Sequence, residues 1–248
     1  MKQRLNNKIA LITGASRGIG AAVAKRFAQE GAQLILVARS IAELEAVDDD
    51  VQKYGSSAVL VPFDLTDLPR INDLAKSIAE RFGRLDILIG NAAILGGLTP
   101  MTHLTPTLWH KIMTINLHAN WHLLKAMEPL LIKAGNARVV FVTSEVGGHP
   151  TPYWGAYSVS KAALEMMAKT YALENNHLGL KVNLIDPGMV RTSMTTEWMP
   201  GQDPLTLPSP EEITEAFVCL SEFTCPWQGE VLKARDSAFV AHKDKPIF

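Results

Sequence analysis

Apolar residues occur along the chain in seven short runs, and amphipathic stretches separate most of these runs. Isoleucine, leucine and valine dominate the runs, without the polar alternation of a strand that has one solvated face. The pattern therefore predicts β-strands that are buried on both faces. The predicted strands are Lys8–Ile12, Gln33–Ala38, Ala58–Phe63, Asp86–Gly90, Arg138–Thr143, Lys181–Ile185 and Glu230–Leu232.

The amphipathic stretches end in glycine, which terminates helices readily because it adopts a left-handed backbone conformation. The predicted stops are Gly31, Gly55, Gly83, Gly135 and Gly179. Strand and helix signals that alternate in this way indicate β-α units and a parallel sheet. The predicted fold class is α/β: a doubly wound Rossmann fold with a seven-stranded, mainly parallel sheet and helices on both faces.

Helix starts, linkers and loops complete this pattern. The predicted N-caps followed by proline are Thr105-Pro106 and Ser209-Pro210, with Glu212 completing a capping box. No glycine- and serine-rich linker divides the chain, so we expect residues 1–248 to form one domain. The segment Gly188–Pro208 contains three prolines and is predicted to be irregular. Because long loops in compact domains are commonly functional, we expect it to act as a substrate lid.

Composition and charge exclude several classes of function. The chain has 248 residues, 47% of them hydrophobic, with a net charge of −1 and a pI near 6.7. This balance gives no electrostatic reason to expect nucleic acid or an anionic membrane as a partner. No apolar run reaches the ~18 residues of a membrane span, and Met1–Lys8 is polar rather than a signal peptide. The default expectation is a soluble cytoplasmic protein.

Metal and disulfide chemistry are not expected. Cys219 and Cys225 match no zinc-site spacing and are interpreted as reduced and structural. The seven histidines are scattered, and a catalytic role for His149 is disfavoured. The run Asp48-Asp49-Asp50 is interpreted as a solvated helix face.

A glycine-rich loop follows the first predicted strand directly and opens the first helix. It reads Thr13-Gly14-Ala15-Ser16-Arg17-Gly18-Ile19-Gly20. In such a loop Gly14 permits a tight turn, Gly18 admits a pyrophosphate close to the backbone, and Gly20 allows close helix–strand packing. The free N–H groups of the helix then face the phosphates. The alternative is a plain tight turn, but the strand and helix around the loop favour a nucleotide site.

The end of the second predicted strand indicates which nucleotide binds. A site for NAD usually has a carboxylate there for the ribose hydroxyls, whereas this chain has Arg39. An arginine suits a 2′-phosphate, and Ser16 and Arg17 could reach the same group. The sequence therefore favours NADP over NAD, although Arg39 could also be a solvated loop residue.

A candidate acid/base pair lies in the second half of the chain. Tyr157 and Lys161 are four residues apart and would share a helix face, with Ser144 upstream at the end of a β-branched run. The ammonium of Lys161 would lower the pKa of the Tyr157 phenol and make it an acid/base near neutral pH. Ser144 could hold the substrate oxygen. By itself the pair could equally be a core tyrosine beside an exposed lysine.

Together these features resemble the short-chain dehydrogenase/reductase family in its single-domain form, from Lys8 to Thr192. Other matching elements are Asp64-Leu65, Gly90-Asn91-Ala92-Ala93, Asn116, Pro187-Gly188, Val190 and Thr192. Three further motifs are similar to a YciK-like bacterial subgroup: Trp154-Gly155-Ala156-Tyr157, Arg191-Thr192-Ser193-Met194 and Asp203-Pro204. The chain departs from the family at Ala93, usually glycine, at Glu145, and in Lys233–Phe248, which lacks an Asp-Gly-Gly turn.

The resemblance implies NADP-dependent hydride transfer between the nicotinamide and a carbonyl or alcohol carbon. The implied catalytic residues are Asn116, Ser144, Tyr157 and Lys161. The implied cofactor-binding residues are Gly14, Ser16, Arg17, Gly18, Ile19, Gly20, Arg39, Asp64, Leu65, Asn91, Ala92, Tyr157, Lys161, Pro187, Gly188, Val190 and Thr192. Lys161 would also hold the nicotinamide ribose, and Asn116 would anchor a water that links Lys161 to solvent.

The substrate is expected to be a medium-sized, largely apolar carbonyl or alcohol compound. The candidate substrate residues are Glu145, Tyr153, Trp154, Met194 and Trp198. Ordinary packing is the alternative for the apolar residues among them. Glu145 should disfavour anionic substrates.

Two helices, about Thr107–Leu131 and Ala156–His177, carry more apolar residues than one buried face requires. The resemblance implies that they form a homodimer or homotetramer interface, and deep burial of both helices is the alternative. Two competing functions stay open: a non-catalytic nucleotide-binding sensor or scaffold with the same fold, and a different Rossmann enzyme such as a methyltransferase.

Overall fold

The strands form one sheet in the computed structural model, which describes residues 3–239. Each predicted strand is present, and both of its ends lie within one residue of the predicted ends. The strands are β1 Ile9–Thr13, β2 Gln33–Ala38, β3 Val59–Pro62, β4 Ile87–Gly90, β5 Arg138–Val142, β6 Lys181–Asp186 and β7 Val231–Lys233.

The sheet has the strand order β3-β2-β1-β4-β5-β6-β7, and every pairing is parallel. The doubly wound α/β fold predicted from the sequence is therefore confirmed. Because all strands run in the same direction, their carboxyl ends meet at one edge of the sheet. The strand order reverses beside β1, and a crevice for a ligand opens at such a reversal.

Helices cover both faces of the sheet. They are α1 Gly18–Gln29, α2 Ile41–Gln52, α3 Arg70–Phe82, α4 Pro106–Met113, α5 Ala119–Lys133, α6 Gly155–Glu174, α7 Ser193–Trp198 and α8 Thr214–Ser221. Successive residues of β1 point to opposite faces, as in any strand. Ala10 and Ile12 pack in the core with α1, α2 and α8, whereas Ile9 and Leu11 pack in the core with α3, α5 and α6.

The predicted helix ends have the expected backbone and capping chemistry. All five glycines predicted as stops have positive φ, and Gly83 caps α3 in the left-handed conformation. The hydroxyl of Thr105 accepts a hydrogen bond from the Leu108 N–H at 3.2 Å. Glu212 accepts from the Ser209 N–H at 2.7 Å, as in a capping box, although a 3₁₀ turn precedes α8 there.

Two segments differ from the prediction. The helix predicted over Thr107–Leu131 is divided by a π-helical turn at Thr114–His118, which lies between α4 and α5. One wide turn leaves the hydrophobic periodicity on either side unchanged, so the pattern does not reveal it. The segment Gly188–Pro208 is not irregular throughout, because it contains α7, which is N-capped by Thr192.

Ion pairs connect the start of the described chain to the last helix. Arg4 pairs with Glu215 and with Glu222, at N–O distances of 2.5 Å and 2.7 Å.

Cys219 and Cys225 are free and buried, and burial raises the pKa of the Cys219 thiol to about 12. Most of the atypical stretch Lys233–Phe248 lies outside the described residues. Within residues 3–239, no helix is both long enough and apolar enough to span a bilayer.

Candidate active site

A cavity of about 1250 Å³ opens at the carboxyl edge of the sheet. Its walls come from the loops after β1, β2, β3, β4, β5 and β6, together with α7 and the start of α6. Nearly all residues that were predicted for the site line this cavity. Among the described residues, the exceptions are Gly20, Asn116 and Tyr153.

The glycine loop forms one end of the cavity with a shape that leaves no room for side chains. Gly14 and Gly18 have φ of 63° and 57°, which only glycine adopts without strain. A Cβ at Gly20 would overlap the carbonyl oxygen of Gly14 and lie 2.7 Å from the side-chain nitrogen of Asn91. Gly20 therefore does not line the cavity; it lies on the far side of the loop, where the lack of a side chain allows α1 to pack against the turn. The open backbone fits a pyrophosphate.

Asn91 fastens this loop to the neighbouring strand end. Its side-chain amide donates to the carbonyl oxygens of Thr13 and Gly14 at 2.9 Å and 3.2 Å. The hydroxyl of Thr13 accepts from the backbone N–H groups of Asn91 and Ala92 at 3.0 Å and 3.1 Å. These bonds join the ends of β1 and β4, so the crevice between them has a fixed width.

The part of the cavity at the ends of β2 and β3 is called the adenosine end, because the sequence predicts that the adenosine of the cofactor binds there; it is lined by Arg17, Arg39 and Lys111. Asp64 also lines it; burial by itself raises the pKa of this carboxyl, but the Thr66 N–H, Arg39 and Lys111 bring it below its usual value. Ser16 donates a 2.7 Å hydrogen bond to Glu43. Sequence reasoning missed Glu43 and Lys111, since neither belongs to a motif.

The candidate catalytic side chains meet at the opposite end. Tyr157 and Lys161 lie on α6, with the Lys161 Nζ 5.5 Å from the centroid of the Tyr157 ring. Ser144, two residues after the end of β5, lies close enough to Tyr157 for its side chain to lower the pKa of the phenol. Lys161 is 2% exposed, and its ammonium donates to the Val142 carbonyl at 2.7 Å. The structure thus brings together three residues from two elements.

Burial dominates the acid–base behaviour of this group. It raises the pKa of Tyr157 to about 12, with an opposing contribution from the Ser144 side chain and a reinforcing one from the Asp186 carboxylate. Burial also lowers the pKa of Lys161 to about 8. The spacing of Tyr157 and Lys161 predicts that the ammonium lowers the pKa of the phenol. That expectation is wrong for the protein alone, because desolvation disfavours the charged form of both groups.

Asn116 lies behind the cavity in the π-helical turn and is fully buried. Its side chain accepts from the Ile94 N–H at 2.9 Å and donates to the Ile94 carbonyl and to the Ser160 hydroxyl, both at 3.0 Å. These bonds join the π-helical turn to the loop after β4 and to α6. The π-helical turn therefore places the Asn116 amide between the loop after β4 and α6.

Aromatic and apolar side chains line the cavity beyond Tyr157. The rings of Trp154 and Trp198 meet edge to face with centroids 4.8 Å apart, and Met194 lies in the same wall. Glu145 also lines this end. Tyr153 does not: it has φ of 73° and is 60% exposed. The turn before α6 directs its side chain away from the cavity, which the sequence spacing does not reveal.

Two further carboxylates of this end were missed by sequence reasoning, Asp186 and Glu197. Asp186 is 7% exposed and accepts from the Gly188 N–H at 3.0 Å. Its position directly before Pro187-Gly188 was the available signal. The charges along the cavity are therefore divided, with the arginines at one end and most of the carboxylates at the other.

Comparison with known proteins gives consistent results. A family model described as short chain dehydrogenase matches residues 8–203. The uncharacterized oxidoreductase YciK of Escherichia coli K12 is 36% identical over 87% of this chain and 86% of its own. Two solved short chain dehydrogenases are each 34% identical over 95% of this chain and all of theirs, with TM-scores of 0.91. The one from Shigella flexneri 2a is complexed with NADP and the one from E. coli CFT073 with NADPH.

Proposed function

Because the chain belongs to the short-chain dehydrogenase family, we propose that it is an NADP(H)-dependent oxidoreductase that interconverts a carbonyl and an alcohol. The observation that carries the proposal is the shared cavity: Ser144, Tyr157 and Lys161 line the same space as the glycine loop. A cofactor held by the loop would reach the candidate catalytic side chains. In this proposal residues 1–248 form one oxidoreductase domain, with 188–208 as a substrate lid.

The cofactor is NADP in this proposal, in agreement with the two structural relatives that contain NADP or NADPH. When bound, it supplies the hydride for carbonyl reduction or accepts one in alcohol oxidation. The loop Gly14–Gly20 would hold the pyrophosphate, and Arg17 and Arg39 would hold the 2′-phosphate. Asp64 and Leu65 would contact the adenine, while Pro187–Thr192 and Lys161 would hold the nicotinamide riboside.

Tyr157 is the proton donor to the carbonyl oxygen during reduction. Its raised pKa keeps the phenol protonated at neutral pH, which is the form that donation requires. Ser144 hydrogen-bonds the same oxygen and fixes its position. Lys161 places its ammonium beside the phenol and stabilises the phenolate that remains after transfer. Asn116 holds the π-helical turn against α6 and so supports the path by which Lys161 exchanges protons with solvent.

The substrate is a medium-sized, mostly apolar carbonyl or alcohol compound. Trp154, Met194 and Trp198 offer it an apolar and aromatic wall, and Glu145 disfavours anionic groups at the mouth. The lid carries both Met194 and Trp198 on α7, so its position determines whether this wall is complete. Small dianions would be poor substrates.

Assembly as a homodimer or homotetramer belongs to the same proposal. An apolar groove on the outer surface is lined by Leu68, Leu117, His118, Trp121, His122, Ala163 and Met167. Trp121 is 47% exposed and Met166, beside the groove on α6, is 67% exposed. Exposed apolar patches of this kind mark interfaces. Sedimentation of the full chain should give a multiple of 27.1 kDa, and a clean monomer would contradict this part of the proposal.

Hydride transfer itself provides the direct test. The full-length protein is mixed with NADPH that carries deuterium at the transferable position of the nicotinamide, and with a panel of neutral carbonyl compounds. We expect deuterium at the carbinol carbon of at least one product. Tight NADPH binding without transfer to any compound would favour the non-catalytic sensor instead. Absence of NADPH binding would contradict both.

A further inference from the structure

A carboxylate that the mechanism does not use lies beneath the candidate active site. Glu165 is on α6, one turn after Lys161, and its side chain is only 12% exposed. Its carboxylate accepts a 2.7 Å hydrogen bond from the hydroxyl of Thr143, which is itself 1% exposed. Within residues 3–239 its ion pair is with Lys169, at 3.7 Å and 43% exposed. A largely buried carboxylate with so weak an ion pair has a high desolvation cost, which its hydrogen bond to Thr143 offsets only in part.

The surroundings of Glu165 connect it to the candidate catalytic serine. Thr143 is the residue directly before Ser144, and Lys161 donates to the carbonyl of Val142, one residue earlier. Two side chains of α6 therefore hold two consecutive residues at the end of β5. A Cβ at Gly147 would lie 2.8 Å from the Glu165 carboxylate, so the turn after Ser144 also packs directly against it.

We propose that Glu165 is a positioning residue that fixes the end of β5 against α6 and supplies the negative charge that keeps Lys161 protonated. This inference rests on the proposed oxidoreductase function for its kinetic consequences, but its electrostatic part concerns the protein without cofactor. Glu165 contacts neither substrate nor cofactor in this scheme. It acts through Thr143 and Lys161.

The electrostatic part has a definite sign. Burial lowers the pKa of Lys161, and Glu165 is the group that opposes this effect. Other titratable side chains also line this end of the cavity: Tyr157 beside Lys161 on α6, Glu145 after β5, Asp186 at the end of β6 and Glu197 on α7. Lys169 lies beyond Glu165 on α6. Removal of the Glu165 charge should therefore lower the pKa of Lys161 further and make the amine neutral at a lower pH.

Two substitutions separate the two effects. Glu165→Gln keeps an oxygen that can accept from Thr143 but removes the charge. Thr143→Val removes the hydrogen bond and keeps the charge. Glu174→Gln makes the same chemical change at an exposed site on the same helix and serves as the control. Thermal unfolding and NADPH titration of each full-length variant establish that it is folded.

The first measurement is an NMR titration of the Lys161 side chain in the cofactor-free protein, assigned by comparison with Lys161→Met. We expect the pKa near 8 of the parent protein to fall in Glu165→Gln by on the order of one unit. It should stay unchanged in Thr143→Val and in Glu174→Gln. An unchanged pKa in a folded Glu165→Gln would overturn the electrostatic part.

The second measurement is the pH profile of turnover on a substrate found by the deuterium screen. The alkaline limb should move to lower pH in Glu165→Gln by the same amount, with KM for NADPH nearly constant. Thr143→Val should lower kcat by about tenfold without moving the limb, because the serine end of the site loosens. Normal kcat in Thr143→Val would overturn the proposal that Glu165 fixes the end of β5 against α6 through Thr143. If the screen finds no hydride transfer, the proposed function fails, while the NMR result still decides the charge effect.

Discussion

The two ends of the cavity are built in different ways. The end formed by the glycine loop comes from one continuous segment, Thr13–Gly20, and presents backbone groups that glycines leave uncovered. The catalytic end is assembled from β5, the π-helical turn, α6 and the loop after β6, and it presents side chains. Substitutions at the first end should therefore lower cofactor affinity by changing the backbone conformation. Substitutions at the second end should lower turnover and leave the backbone conformation unchanged.

The ends also differ in charge. Arg17, Arg39 and Lys111 line the adenosine end together with Glu43 and Asp64, whereas Glu145, Asp186 and Glu197 line the candidate catalytic end together with Lys161 and two tryptophans. Cations outnumber carboxylates at the first end only, so in the proposed function the phosphates of the cofactor should be attracted to that end. The excess of carboxylates at the other end should disfavour anions there.

The largest effect is expected from Tyr157→Phe. This change removes the proposed proton donor and preserves the ring, so turnover should fall by on the order of a hundredfold or more. NADPH affinity should change less than about twofold, because the change is confined to the catalytic end. Fluorescence titration and steady-state kinetics on the same samples measure both. Near-normal turnover would rule out the proposed acid.

Gly20→Ala should distort the glycine loop, at the other end of the cavity from Tyr157. The new methyl group would press on the Gly14 carbonyl and on Asn91, and overpacking of this kind costs about 1–3 kcal/mol in the free energy of unfolding. NADPH affinity should fall by on the order of a hundredfold, because the loop would lose its shape. Gly201→Ala is the control, since its Cβ would meet nothing within 4 Å. Equal behaviour of the two variants would contradict the packing argument.

Arg39→Ala sharpens the comparison at the adenosine end. Loss of one charge-assisted hydrogen bond to the 2′-phosphate should weaken NADPH binding by roughly 1.5–3 kcal/mol. NADH has no such phosphate, so its affinity should stay the same and serves as the internal control. Parallel titrations with both cofactors give the answer. The arginine interpretation fails if NADPH affinity is unaffected or if both affinities fall together.

The burial of Lys161 should appear in the pH dependence of stability. The pKa of Lys161 is about 8 in the fold, against 10.5 for an exposed lysine. Below pH 8 the fold therefore bears the full cost of a buried charge, and this cost disappears as the pH rises. Between pH 8 and 10 the parent protein should gain roughly 1–3 kcal/mol relative to Lys161→Met. Chemical denaturation at several pH values measures the gap, and a constant gap would mean that Lys161 is not desolvated.

The smallest effect is expected at the lid. Trp198→Ala removes one of the two indoles that meet edge to face and should raise KM for an apolar substrate severalfold, with little change in NADPH affinity. NADP together with substrate should also protect the 188–208 segment from proteolysis. Phe223→Ala, an exposed aromatic outside the cavity, is the control. If substrate gives no protection, the segment is not a lid.

Much of the fold was readable from local patterns. All seven strands appear where aliphatic runs predict them, and the five glycine stops have positive φ. Thr105 caps α4 as expected. These features depend on residues that are neighbours in sequence, so propensity and periodicity are sufficient to find them. The resemblance to the short-chain dehydrogenase family added the identity of the site residues, and the family model confirms the membership.

Other features depend on contacts between distant segments. The π-helical turn is held by bonds from Asn116 to Ile94 and Ser160, and periodicity carries no sign of it. Tyr153 lies near Trp154 in sequence, yet a left-handed turn separates it from the cavity. Glu43 and Glu165 belong to no motif and become visible only through their partners Ser16 and Thr143.

The sequence by itself determined the order of the elements, the glycine loop and the chemical types of the candidate catalytic residues. Only the tertiary structure decided their environment. The sequence places an amine four residues from a phenol and suggests that the phenol becomes more acidic. The fold buries both groups, so desolvation raises the pKa of Tyr157 and lowers that of Lys161. Spacing in the sequence determines which groups meet, but the exclusion of water around them determines which charges they carry.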